Sequence, residues 1–164
     1  MQVNLSNGGV PKRAVLLGNL KRQGFIGDRF AHPRFHGGAD QAVLLISSEL
    51  IEQLAALGYP VYPGALGENL TTIGLDHRQW RAGQQFHAGS ARIELTKPRV
   101  PCRTLDLYGK GYNGIPIQSY IYEAKVKRGD ASADSWGRSG FYARVIQPGA
   151  IVAGDAITLE SELA

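Results

Sequence analysis

The chain has 164 residues, a length that suits one domain, residues 1–164, built around one core. With 43% hydrophobic and 20% charged residues it is not a disordered chain, and its single cysteine excludes an internal disulfide framework. The 18 Lys and Arg against 14 Asp and Glu leave a net charge of +4, which favours a small anionic partner; no long basic run marks a nucleic-acid surface.

The first residues, MQVNLSNGG, lack the positive start and apolar stretch of a signal peptide. The longest run of large apolar residues, AVLLI (42–46), falls far short of the ~20 needed to span a bilayer. The expectation is a cytoplasmic protein with no membrane partner. Glycine is abundant, 21 residues, and marks turns between short apolar runs. AVLL (14–17) and AVLLI (42–46) read as strands, and SELIEQLAALG (48–58) follows as a helix. That helix places Leu50, Ile51, Leu54 and Leu57 on one face, with Ser47 or Ser48 as N-cap and Gly58 as terminator. GALGENL (64–70) is a loop before the strand NLTTI (69–73), and ARIELT (91–96) is the next strand. GKGYNGIP (109–116) and DASADSWGRSG (130–140) read as loops, either mobile lids or exposed surface. Between them IQSYIYEAKVKRG (117–129) predicts a second helix with a stripe of Ile117, Tyr120, Ile121 and Ala124. YARVI (142–146) and DAITLE (155–160) close the strand set. Many short strands with few helices predict a mainly β fold, a twisted sheet closed into a barrel.

The only cysteine ends the stretch TKPRVPC (96–102). Pro98 and Pro101 cannot donate to a sheet ladder, so the chain is expected to leave the sheet near residue 97 as a stiff arm. Lys97, Arg99 and Arg103 surround Cys102 in sequence with no acid before Asp106. Cations beside a thiol favour the thiolate, which binds metals and attacks electrophiles. A buried, inert thiol remains open on these residues alone. In RFHGGAD, His36 and its glycines can line a pocket or simply hydrogen-bond, and His32, His77 and His87 do not add metal-ligand spacing. Glu68 and Asn69 follow a glycine, Gly67, that lets a ligand approach the backbone; a plain turn explains them equally.

No P-loop, GxGxxG after a strand, HExxH, CxxC or GxSxG is present. What is present, in order, is NGGVPK (7–12), GFIGDRF (24–30), FHGGADQAVLLI (35–46), PGALGENLTTIGL (63–75), RAGQQFHAGSARIELTKPRVPC (81–102) and GFYARVIQPGAIVAGDAITL (140–159). Together these resemble the MOSC domain, the module named after the C-terminal domain of molybdenum cofactor sulfurases. The combination HGG-x-D-x-AV, G-E-N-L and P-R-x-P-C carries the resemblance, which runs through nearly the whole chain. It is similar in layout to bacterial MOSC proteins that include 6-N-hydroxylaminopurine resistance proteins, some of which carry a C-terminal helical segment expected to be missing here.

The resemblance implies a β-barrel with a few short helices and a molybdenum–molybdopterin cofactor. Cys102 matches the family's cysteine and would be the metal ligand and catalytic thiol, or the acceptor that carries sulfur. Lys97 and Arg99 would contact the anionic cofactor, with Arg103 and Arg144 as further candidates, and His36, Gly67, Glu68 and Asn69 would shape the pocket wall. Pyridoxal phosphate, which sulfurases hold in a separate domain, is not expected. The implied activity is reduction of N-hydroxylated compounds such as hydroxylaminopurines or amidoximes. Electrons would come from a separate flavoprotein or ferredoxin-type reductase, because the chain has no motif for a flavin or an iron–sulfur cluster. The alternative is a sulfur or cofactor carrier without turnover. A barrel for single-stranded nucleic acid would need aromatic residues interleaved with cations, and none are identifiable.

Overall fold

The short apolar runs pair into two sheets in the computed structural model, which describes residues 1–29 and 37–160. The first strands are β1 (Gln2–Leu5), β2 (Arg13–Val15), β3 (Leu17–Lys21) and β4 (Gly24–Phe25). β5 (Val43–Ser47) runs into helix α1 (Ser48–Ala56), and β6 (Leu70–Thr72) follows. β7 (Gln85–Ala88) and β8 (Ala91–Pro98) form a hairpin; β9 (Phe141–Gln147), β10 (Gly149–Val152) and β11 (Ile157–Leu159) complete the set. Eight strands make one sheet in the order β11-β7-β8-β9-β5-β6-β1-β2, and β10-β3-β4 make a second. The large sheet keeps two edges, β11 and β2, so it curls as a half-barrel. The fold is mainly β, with few short helices. Among the described residues no helix is long and apolar enough to cross a membrane.

β5 shows why a short apolar run suffices for a central strand. All five of its residues are buried, because both faces are covered and its neighbour β6 is parallel to it. The antiparallel partner on the other side is β9, with Val43 opposite Ala143 and Leu45 opposite Phe141. Val43 and Leu45 face a core with Val3, Leu20, Phe25, Leu70, Ile93 and Phe141. Ile46 faces a second core that contains Leu50, Ile51 and Leu54 of α1. The sequence expectation for this helix holds: Ser47 caps it by accepting a hydrogen bond from Leu50 N, at 3.4 Å.

Three expectations need correction. The run 14–17 spans two strands, since exposed Leu16 lies between β2 and β3. The helix expected over 117–129 breaks into α2 (Ile117–Ile121) and α3 (Ala124–Lys127) at Tyr122, whose backbone is extended. The cause is packing: Ile117 and Ile121 enter the second core and Val126 the first, which one straight stripe cannot serve. The 130–140 segment is not a lid or exposed surface. Ala133, Ser135, Trp136 and Ser139 are buried, and Trp136 Nε1 donates to the Trp80 carbonyl at 2.9 Å. The 109–116 loop is largely exposed, tied to the end of α1 by Tyr112 N donating to Leu57 O at 2.8 Å.

Candidate functional site

The proline-rich arm leaves the sheet at Pro98, beside the expected residue 97. Pro98 still sits opposite Phe141, but a register shift between Leu95 and Lys97 breaks the inward alternation of β8. Leu95 is buried and Lys97 exposed, two residues apart, where regular pleating would put both on one face. Beyond the strand, Arg99 N donates to Gly140 O at 2.8 Å, and the Arg99 side chain turns inward, 4% exposed. Pro101 then delivers Cys102, half-buried, at the start of a 3-10 turn (Arg103–Tyr108). The Cys102 Sγ lies 2.7 Å from Thr104 Oγ1, which fixes where the sulfur points.

Cys102 and Thr104 form one wall of an open cleft with about 590 Å³ of empty space, part of it continuous with solvent. Leu44 of β5 and Tyr142 of β9 form the wall beside them. Leu66, Gly67 and Asn69 come from the loop before β6; Gly9, Val10 and Lys12 from the loop before β2; Arg29 and Gln41 complete the lining with Arg99. Glycine is required at 67, where φ is +87° and a β-carbon would stand 2.9 Å from Val10 Cγ1.

Arg99 is the buried cation of this cleft. Its Nε donates to the Ser139 carbonyl at 2.7 Å and its Nη1 to the Leu66 carbonyl at 3.1 Å. Nη2 is buried with no hydrogen-bond partner, and Arg99 forms no salt bridge among the described residues. Burial pulls its pKa down, but a guanidinium starts so high that it stays charged. Lys12 is also buried and is bound to the Asp28 carboxylate. Burial lowers the Lys12 pKa, opposed by Asp28. Asp28 also accepts from Ser6 N and from Asn69 Nδ2, both at 2.8 Å. Burial raises the Tyr142 phenol above its ordinary range, so it keeps its proton at neutral pH.

Of the residues singled out in sequence, the fold brings Gly67, Asn69, Arg99 and Cys102 together on the cleft. Glu68 lies directly behind it, wholly buried, accepting from Gly64 N and Thr71 Oγ1. Lys97 and Arg103 are exposed and outside the lining. Arg144 is exposed too, its Nε 3.3 Å from Asp40 and 3.5 Å from Glu94. His36 lies outside the described residues. Lys12, Asp28 and Tyr142 were not picked out as site residues. The motifs NGGVPK and GFIGDRF contain the first two, and a lysine and an aspartate inside glycine-containing motifs were the available signal.

A soft sulfur and a buried guanidinium with no salt bridge among the described residues, on one cleft, are suited to a metal attached to an anionic organic ligand. Among the described residues no three His, Cys, Asp or Glu side chains converge as a metal site, so such a metal would draw most of its ligands from the organic group.

Comparison with known proteins bears on the fold and the family. The MOSC domain matches residues 32–158. The uncharacterized protein YflK of Bacillus subtilis is 31% identical over 153 residues, covering 92% of this chain and 60% of that protein. Protein YiiM of Escherichia coli is 34% identical over 97 residues, covering 54% of this chain and 42% of that protein. The chain therefore spans less than two thirds of either relative. The crystal structure of YiiM from Geobacillus stearothermophilus superposes with a TM-score of 0.69 at 25% identity, over 98% of this chain and 73% of that one. By motif, fold and these matches, the chain belongs to the MOSC domain family.

Proposed function

We propose that this chain binds a molybdenum–pterin cofactor in the cleft, with Cys102 as thiolate ligand to the metal, and reduces N-hydroxylated compounds such as hydroxylaminopurines or amidoximes. The observation that carries the reading is that the only thiol of the chain and a buried guanidinium with no carboxylate partner among the described residues line the same cleft. When bound, the cofactor supplies two-electron redox chemistry at its metal.

The chain's own residues have separate tasks. Arg99, braced by the Ser139 and Leu66 carbonyls, holds an oxyanion of the cofactor without having to be ordered at the moment of binding. Thr104 orients the Cys102 sulfur. Tyr142 keeps a protonated hydroxyl in the cleft wall. Conversion of a hydroxylamine to an amine takes up two electrons and two protons and releases water. The electrons come from a separate flavoprotein or ferredoxin-type donor, because the sequence holds no motif for such a carrier.

The test is Cys102→Ser, which nearly keeps the side-chain volume but replaces a soft donor with a hard hydroxyl. We expect the variant to fold with the wild-type circular dichroism spectrum, to retain little molybdenum after anaerobic purification, and to reduce no hydroxylamino base. Wild-type turnover by the loaded variant would remove Cys102 from the mechanism. Loading of the wild-type protein without turnover, in the presence of an electron donor, would instead identify a carrier module.

A further inference from the structure

Behind the cleft, two ionisable side chains of opposite kind are buried near one another and do not pair. Arg99 leaves Nη2 without a partner. Glu68 is 0% exposed; its Oε1 accepts from Gly64 N at 2.5 Å and from Thr71 Oγ1 at 2.9 Å, and its Oε2 has no partner. The two groups interact electrostatically, yet no salt bridge joins them among the described residues. This is an unusual arrangement for two ions. A buried carboxylate left unpaired is strongly unfavourable, and an ionised Glu68 would turn its open oxygen toward the nearest cation.

A protonated acid removes the unpaired buried charge. Oε1 then acts as the carbonyl oxygen and takes both donors, while Oε2 carries the proton. We propose that Glu68 is a positioning residue for an anion site at Arg99: as a carboxylic acid it holds the loop before β6 in place and leaves the guanidinium charge to an anion in the cleft. The proposal rests on the reading of Arg99 as the contact for the cofactor's anionic group. Both tasks follow from connections already described. Glu68 pins Gly64, and Arg99 is bonded to Leu66 of the same loop, so loop and guanidinium share one frame.

The surroundings of Glu68 favour the acid form. Burial raises its pKa above the ordinary carboxylate range, opposed by the bonds from Gly64 N–H, from its own backbone N–H and from Thr71, and by the charge of Arg99. The other charged or titratable groups that act with it are Lys12 and Tyr108. Lys12 is bound to Asp28, and Tyr108 donates its hydroxyl to the Ala65 carbonyl at 2.5 Å. Neither donates to Oε2.

Two measurements on the cofactor-free full chain test this. The first is infrared spectroscopy of protein labelled with 13C-glutamate. It should contain a protonated-acid carbonyl band at neutral pH that disappears in Glu68→Gln. The second is titration with sulfate, a dianion whose charge is constant from about pH 6 to about pH 8. Glu68→Gln should bind sulfate within about twofold of wild type, and Arg99→Gln about tenfold or more weaker. Absence of the acid band overturns the proposal, and that observation needs no variant to fold. Sulfate binding about tenfold tighter in Glu68→Gln overturns it too, because it would mean that a carboxylate had been competing for Arg99. Wild-type sulfate affinity in Arg99→Gln would remove the anion site itself. The cofactor reading fails independently: full pterin retention by a folded Arg99→Ala variant would sink it whatever the carbonyl band shows.

Discussion

Lys97 and Arg99 carry the same formal charge two residues apart on one arm, in opposite surroundings. Lys97 is exposed, where its field is screened by water and salt. Arg99 is buried with two of its nitrogens already committed to carbonyls, so an anion reaching it finds a fixed and poorly solvated charge. We expect Arg99→Ala to lose roughly 10-fold to 100-fold in cofactor affinity, since charge-assisted bonds contribute about 1.5–3 kcal/mol. Lys97→Ala should stay within about threefold of wild type. Equilibrium loading of the purified variants with pterin measures both, and equal losses would contradict this division of labour. The separation of the two was not legible in TKPRVPC, because it depends on a register shift in β8 that no residue type announces. Cys102 was legible because it is the only thiol and follows two closely spaced prolines. Lys12 and Asp28 were not, because their importance comes from burial together, 16 residues apart.

At the scale of elements, the joint between α1 and the 3-10 turn His77–Gln79 is a place where pH acts on stability. Ser47, the cap of α1, has its hydroxyl 3.2 Å from His77 Nδ1. Burial lowers the His77 pKa below the ordinary 6.5; Arg78 and Arg138 push the same way, and Asp76 and Glu49 oppose them. Above that ordinary value the ring is neutral in folded and unfolded chains alike, and stability is undiminished. As pH falls below it, the unfolded chain binds the proton first, so stability drops until the lower folded pKa is passed. Thermal unfolding should therefore show a midpoint that falls between about pH 7.5 and about pH 5.5, with a shallower fall in His77→Gln. Parallel slopes for the two proteins would exclude His77 as a source. Local pattern was enough to read α1, whose cap, apolar face and glycine stop agree. It was not enough for 117–129, where two cores compete for one run, nor for 130–140, where small polar residues surround a buried tryptophan.

At the scale of the molecule, strand existence was largely readable and strand order was not. β5 is a continuous apolar run, β8 alternates buried and partly exposed residues, and β9 is mostly apolar, whereas β1 (QVNL) and β10 (GAIV) are short and lie against glycine turns that mask them. The parallel pairing of β5 with β6, across α1 and the glycine loop, has no local signature; it brings that loop beside the cleft. The aromatic group beneath that cleft has an optical consequence. The only two tryptophans, Trp80 and Trp136, flank the same Phe141 ring at 6.0 and 5.6 Å, and both are buried. Phe141 is bonded along the chain to Tyr142, a wall of the cleft, and faces Pro98 at the base of the cysteine arm. All the indole emission of the protein therefore arises from one dry cluster at the root of the site. Its spectrum should be blue-shifted in the native protein, and its intensity should change when the cofactor enters, by energy transfer to the pterin chromophore. Fluorescence quenching during reconstitution would then give a loading curve without any added label, and emission indifferent to confirmed cofactor uptake would show that the pterin binds away from this cleft.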